Sequence, residues 1–206
     1  LPEPRPAVSA ASYSFGMERT TSPSVRIEPW SDADLELLRR ANAPELMDHL
    51  GGPETEEQLI ARHERYVAMS ADRTGGGRMF RIALSDGDEA VGTIGFWERT
   101  WQGREVYETG WAVLPGHQGL GIATAATTAV AEQARAEHKH RYLHAYPSVD
   151  NGASNAVCRK AGFTLIGTCD FEYPPGNVLL TNDWQLDLSP DAPDSPDSPD
   201  SPDAGR

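Results

Sequence analysis

Trp111-Ala-Val-Leu-Pro-Gly-His-Gln-Gly-Leu-Gly-Ile-Ala-Thr124 is the stretch on which the fold turns. It opens as the end of an apolar strand, Pro115-Gly116 breaks that strand, and Gln118, Gly119 and Gly121 make a turn that opens a helix. Glycines let the backbone turn tightly there. Several unpaired N–H groups at a helix start then converge on one point, where the helix dipole also favours negative charge. The layout is an anion cradle built without basic side chains. It is not a P-loop, since no Gly-Lys-Ser/Thr follows, nor a dinucleotide fingerprint, which needs a third glycine and an acidic residue closing a parallel unit. Spacing alone leaves a pure packing role for these glycines open.

Working outward, the helix runs from about Gly119 to Glu137, with Ala123, Ala126, Val130 and Ala134 at helical spacing. Upstream, strands at Met79–Ser85, Ala90–Trp97 and Glu105–Leu114 are joined by turns at Asp86-Gly87-Asp88 and Gln102-Gly103, an antiparallel meander. Before them come a strand at Val25–Trp30, a capping-box start at Ser31 to Asp34 for a helix with Leu35 and Leu38 on one face, and a second cap at Thr55 and Gln58. That second helix runs to about Ser70 with Leu59, Tyr66 and Val67 inward. Downstream the pattern predicts a strand at Arg141–Tyr146, a helix at Asn151–Ala161, and strands at Phe163–Phe171 and Val178–Leu188 around Pro174-Pro175-Gly176. Val178, Leu180, Trp184, Leu186 and Leu188 share one face of the last strand. About seven strands and four helices in this order make a mixed α+β domain.

Composition narrows the function classes. The 206 residues carry a formal charge of -13, are 38% hydrophobic and contain two cysteines, Cys158 and Cys169. So acidic a chain repels phosphate backbones and anionic lipid, which argues against nucleic-acid and membrane partners. Two cysteines without close His or Cys partners suit neither a disulfide framework nor a structural zinc site, so the expected compartment is the cytoplasm. His138, His140 and His144 straddle a helix end and a strand, and no metal is expected. Residues 1–24 are Pro-rich and aperiodic, and 189–206 are a Ser-Pro-Asp repeat, so both are expected to be disordered around a domain at 25–188.

In its motifs the chain resembles the GNAT family of N-acetyltransferases. Their coenzyme A signature, Gln/Arg-x-x-Gly-x-Gly/Ala, is matched by Gln118-Gly-Leu-Gly121-Ile-Ala123. A second match, Asn151-Gly-Ala-Ser154-Asn155 followed by Lys160-Ala-Gly162-Phe163, looks like the family's later helix beside the pantetheine arm. Together with Tyr107-Glu-Thr-Gly-Trp-Ala-Val113, these are most similar to the Rim-type branch, which acetylates ribosomal-protein N-termini and also contains drug- and small-amine-modifying enzymes. The resemblance implies a mostly antiparallel sheet and acetyl-CoA as co-substrate. Its expected contacts are the backbone of Val113, then Gln118, Gly119, Leu120, Gly121, Ile122, Ala123 and Thr124, and Asn151, Ser154 and Asn155. It also allows a homodimer through the last strand.

Acetyl transfer to an amine needs a base for the ammonium, a donor for the developing oxyanion and a proton for the departing thiolate. Glu108 is the candidate base, an acid on the apolar strand face shared with Val106 and Ala112, with a structural ion pair as its alternative role. The resemblance assigns the oxyanion donor to the Val113 N–H. Cys158 stands where many members have the acidic Tyr, so Ser154 is the candidate acid, with helix capping as its alternative. Trp97, Trp101, Tyr107, Glu172 and Tyr173 are candidates for holding a small-molecule or peptide amine. The expected activity is direct transfer from acetyl-CoA to a primary amine. Its rival is a non-catalytic acyl-CoA-binding regulatory module.

Overall fold

The structure is a computed structural model and describes residues 24–48, 51–173 and 176–189. Seven strands form one sheet in the order β1-β2-β3-β4-β5-β7-β6. They are β1 (Val25–Pro29), β2 (Gly77–Leu84), β3 (Ala90–Trp101), β4 (Arg104–Val113), β5 (Tyr142–Ala145), β6 (Thr164–Glu172) and β7 (Val178–Asp187). Every neighbouring pair is antiparallel except β4 and β5, which run parallel. The helices are α1 (Leu35–Ala41), α2 (Pro44–Met47), α3 (Glu56–Ala71), α4 (Ile122–Ala136) and α5 (Gly152–Lys160).

The sheet has two covered faces. On one, Ile122, Ala126, Val130 and Ala134 of α4 pack with Phe80, Ile82, Ile94, Phe96, Tyr107, Leu143 and Trp184. Alanines on that stripe let α4 lie close to the sheet. On the other, Leu37 and Leu38 of α1 and Leu59 of α3 bury Trp30, Met79 and Leu114. The α3 cap is a capping box, with the Thr55 hydroxyl accepting from Gln58 N–H and the Gln58 side chain accepting from Thr55 N–H.

β4 and β5 pair only through Tyr107↔Leu143 and Glu108↔His144. Beyond Glu108, β4 continues to Val113 with no strand on that side, so the centre of the sheet parts into a wedge. Backbone polarity shows which way the open edge faces. Leu114 N–H donates to Val91 O at 2.9 Å, toward β3. Alternation along the strand then turns the N–H and C=O of Val113 into the wedge, where its oxygen accepts from Gln118 Nε2 at 2.9 Å.

Several expectations shift for local reasons. Among the described residues there are five α-helices rather than about four, because Pro44 at the first helical position starts the single-turn α2, too short to leave a periodic pattern. A 3-10 turn at Asp32–Asp34 rotates the start of α1, so Leu37, Leu38 and Ala41 are buried while Leu35 is only half-buried. α4 starts at Ile122, not Gly119, because Gly119 and Gly121 sit at φ +76° and +83°, outside the right-handed helical region. The shared apolar face of β7 is covered only at its inner end: Trp184 and Leu188 are buried, but Val178 and Leu180 are exposed where the strand runs past the core. No described helix is long and apolar enough to cross a membrane. The expected terminal extensions lie outside the described residues except for Ser24 and Ser189.

Candidate functional site

The wedge and the turn at its mouth are made mainly of backbone. The first helical acceptor–donor pair of α4 is Ala125 N–H to Gly121 O at 3.0 Å, so the amides from Gly119 to Thr124 precede any bond within the helix. Ile122 is fully buried and contributes only its N–H to this turn, while Leu120 is exposed. Gln118 folds back onto Val113 O and ties the turn to the end of β4. α5, which packs beside α4, is capped by Asn151, whose Oδ1 accepts from Ser154 N–H at 3.0 Å. Asn151 therefore does the capping, and the Ser154 hydroxyl on the first turn of α5 stands outside the cap.

Glu108 sits where β4 and β5 part, on the face opposite α4. Its side chain is 12% exposed and takes a 2.6 Å hydrogen bond from Arg99 Nη1. Burial pushes the carboxyl above the ordinary glutamate range, while the Arg99 charge and hydrogen bond, the Trp97 indole and His144 pull it back in part. Trp97 is opposite Glu108 in the β3–β4 register, and a side-chain carbon on Gly110 would come within 3.1 Å of its ring. Glycine at 110 thus lets the indole lie across β4 beside the carboxylate.

Around this pair stands a second group of buried polar and aromatic side chains. His144 Nδ1 lies 2.7 Å from Asp183 Oδ1, and Trp101 Nε1 donates to the other oxygen of Asp183 at 2.9 Å. Gln185 Nε2 lies 3.1 Å from His144 Nε2. Tyr146 stacks between His144 and Phe171 with centroids 5.8 and 4.8 Å away. Its hydroxyl is shut off from solvent without a hydrogen-bond partner among the described residues. Tyr173 lines, with Met47, Pro53, Glu54 and Gln58, a cavity of about 200 Å³.

A family model described as an acetyltransferase (GNAT) domain matches residues 24–164. The chain belongs to the GNAT acetyltransferases. Solved structures agree in fold. A GNAT acetyltransferase from Bacillus anthracis superposes with TM-score 0.64 at 20% identity, covering 82% of this chain and 97% of that one. The Salmonella typhimurium acetyltransferase that modifies the N-terminal serine of a 50S ribosomal subunit protein gives 0.65 at 19%, covering 82% and 98%. The spermidine N-acetyltransferase from Vibrio cholerae gives 0.63 at 14%, covering 80% and 95%. Among curated proteins no sequence matches.

Within this GNAT domain the residues singled out from sequence separate into three groups. Val113 and Gln118 to Thr124 line the wedge or its mouth, and Asn151 and Ser154 stand at the start of α5, which packs beside α4. Glu108, Trp97 and Trp101 share the opposite face, while Tyr173 lines the cavity with Met47 and Glu54. Three others are committed elsewhere. Tyr107 points to the α4 side, fully buried against Phe96, with its hydroxyl donating to Gly75 O at 2.6 Å, because strand alternation sets it opposite Glu108. Asn155 is buried with its amide spent on Ser148 O, Asn151 O, Asn182 Nδ2 and Trp184 Nε1, so it fastens α5 to β7 instead of reaching a ligand. Exposed Glu172 accepts from Gly176 N–H at 2.6 Å and closes the turn before β7. Cys158 is a core residue, its thiol pushed up to about 12 by burial.

Arg99, Tyr146 and Asp183 escaped the sequence reading, which weighed His144 only as a metal ligand. Arg99 left a trace. A two-residue turn at Gln102-Gly103 sets the pairs Trp101↔Arg104, Arg99↔Val106 and Trp97↔Glu108, so Trp97, Arg99 and Trp101 share the Glu108 face. The others depend on β5, β6 and β7 meeting β4, which no local pattern announces. The three histidines of 138–144 do not converge, and among the described residues no group of metal-ligating side chains forms. His140 pairs with Glu98 and His144 with Asp183.

Proposed function

We propose that this acetyltransferase moves an acetyl group from acetyl-CoA directly to a primary amine, with 25–188 as its catalytic domain. The observation that carries the reading is the open edge of β4, which ends in a helix-opening turn of unpaired amides and begins at a buried carboxylate. One end of that edge suits a pyrophosphate and the other an amine. Its fit to coenzyme A is supported by the left-handed glycines: a side chain at either position would be strained, whatever space surrounds it.

Acetyl-CoA supplies the activated thioester. The amides of Gly119 to Thr124 hold its pyrophosphate, and Gln118 keeps their turn against β4. Val113 N–H, aimed into the wedge, stabilises negative charge as it develops on the carbonyl oxygen. Glu108 takes the proton of the incoming ammonium, directly or through water, and its raised proton affinity brings it nearer to that task at neutral pH. The Ser154 hydroxyl donates to the departing sulfur. Buried Cys158 takes no covalent part.

Spermidine and a protein N-terminal serine, the acceptors of two of the neighbours, define the classes to test first. Free thiol release from acetyl-CoA should be followed with polyamines, amino sugars, amino acids and peptides with free N-termini. Amine-dependent release that Glu108→Gln lowers about 10²-fold or more supports the reading. Equal release by Glu108→Gln and wild type removes Glu108 from the mechanism.

A further inference from the structure

Arg99 presents an unusual combination: a cation that a carboxylate and three aromatic rings together hold in one place. Its guanidinium carbon is 4.3 Å from the Phe171 ring centroid, 5.5 Å from that of Tyr146 and 5.7 Å from that of Trp101. Trp101 and Tyr146 themselves meet at 4.8 Å, and Trp101 is fastened to β7 through Asp183. The Arg99 Nε is shut off from solvent with no hydrogen-bond partner among the described residues, and Nη1 donates to Glu108. Such rings favour the charged guanidinium face-on and cover part of it, leaving the side chain 30% exposed.

We infer that Arg99, clasped by Trp101, Tyr146 and Phe171, is a positioning residue for the transfer reaction, aiming the Glu108 carboxylate and supplying its countercharge. The inference rests on Glu108 being the base. A carboxylate this deeply enclosed and left alone would hold its proton, and a protonated acid cannot take one from an ammonium. A freely solvated arginine would be screened and mobile. Clasping limits both, because it keeps the charge 2.6 Å from a carboxylate that is itself only 12% exposed.

Other groups face the same spot. Trp97 comes from β3, His144 from β5 with Tyr146 just beyond it, Cys169 from β6 and Asp183 from β7. His144 also opposes protonation of Glu108, but its ring is held by Asp183 and Gln185, whereas Arg99 bonds the carboxylate directly. Burial outweighs these counteracting groups, so Glu108 remains above the ordinary range with Arg99 in place and rises further without it.

The test is a titration that needs neither acceptor nor turnover. Protein labelled with carbon-13 at the glutamate carboxyl gives a Glu108 resonance, assigned by its loss in Glu108→Gln, and its midpoint is followed in wild type, Arg99→Gln, Arg99→Lys and Phe171→Leu. Arg99→Gln should raise the midpoint by about one pH unit or more. Arg99→Lys should restore most of it, and Phe171→Leu, which keeps an apolar side chain, should raise it less. With an amine substrate in hand, the acidic limb of kcat should move by the same interval at unchanged acetyl-CoA affinity. An unmoved midpoint in folded Arg99→Gln overturns the role of Arg99 while leaving Glu108 as base. Full activity of Glu108→Gln overturns both.

Discussion

The two sides of the wedge are built from different materials. The α4–α5 side is backbone and small side chains: Gly119, Gly121, the Val113 N–H and the first turn of α5, with no lysine or arginine along the glycine turn. The Glu108 side is side-chain chemistry, with two acids, an arginine, a histidine and four large rings drawn from β3, β4, β5, β6 and β7 and the residue after β5. A ligand with a constant phosphate shape can be held by backbone that tolerates sequence change. An acceptor recognised by charge and rings requires specific residues. Damage to the two sides should therefore separate, one affecting coenzyme binding and the other the transfer step.

The largest expected effect is on transfer. Glu108→Gln should lower kcat about 10²-fold or more while leaving acetyl-CoA affinity within about twofold, measured by thiol release and by calorimetric titration. A parallel loss of affinity would merge the two sides. Asn155→Ala should act on neither chemistry but on the frame. It leaves Trp184 Nε1 and Asn182 Nδ2 without their shared acceptor, at a cost of about 2 kcal/mol, read as a melting point lower by roughly 4–8 °C. If the melting point holds and coenzyme affinity falls instead, Asn155 belongs to the ligand site.

Gly121→Val should weaken acetyl-CoA binding by about tenfold, because a β-branched residue resists φ +83° and the turn must re-form without it. kcat at saturating coenzyme should change little. Smallest is Tyr107→Phe, which removes one buried hydrogen bond to Gly75 O and should cost about 1 kcal/mol of stability with no change in the acceptor KM. A raised acceptor KM would put Tyr107 back among the substrate contacts.

The difference in materials also explains what could be read beforehand. The element order, the two caps at Ser31 and Thr55 and the glycine turn were legible because each depends on a few adjacent residues. The wedge motif was legible for the same reason: Gln118 to Ala123 carry its whole geometry. Tyr107 and Glu108 are adjacent, and strand alternation alone places them on opposite faces, so a base at Glu108 and an acceptor contact at Tyr107 do not share one site. Asn155 lies inside a motif, yet its partners Asn182 and Trp184 are about 30 residues on, and only the packing of α5 on β7 reveals its use. The Arg99–Phe171 and His144–Asp183 contacts span 72 and 39 positions. No period or cap signals such pairs.

The most direct test of the division between the two sides is the melting temperature of wild type, Glu108→Gln and Gly121→Val with acetyl-CoA, free coenzyme A, ATP and NAD at equal concentrations. A ligand raises the midpoint only by preferring the folded chain. The account predicts selective, saturable stabilisation of wild type and Glu108→Gln by the two coenzyme A forms, with a markedly smaller shift for Gly121→Val. It is contradicted if no ligand shifts the wild type, or if ATP and NAD stabilise it as well as coenzyme A does.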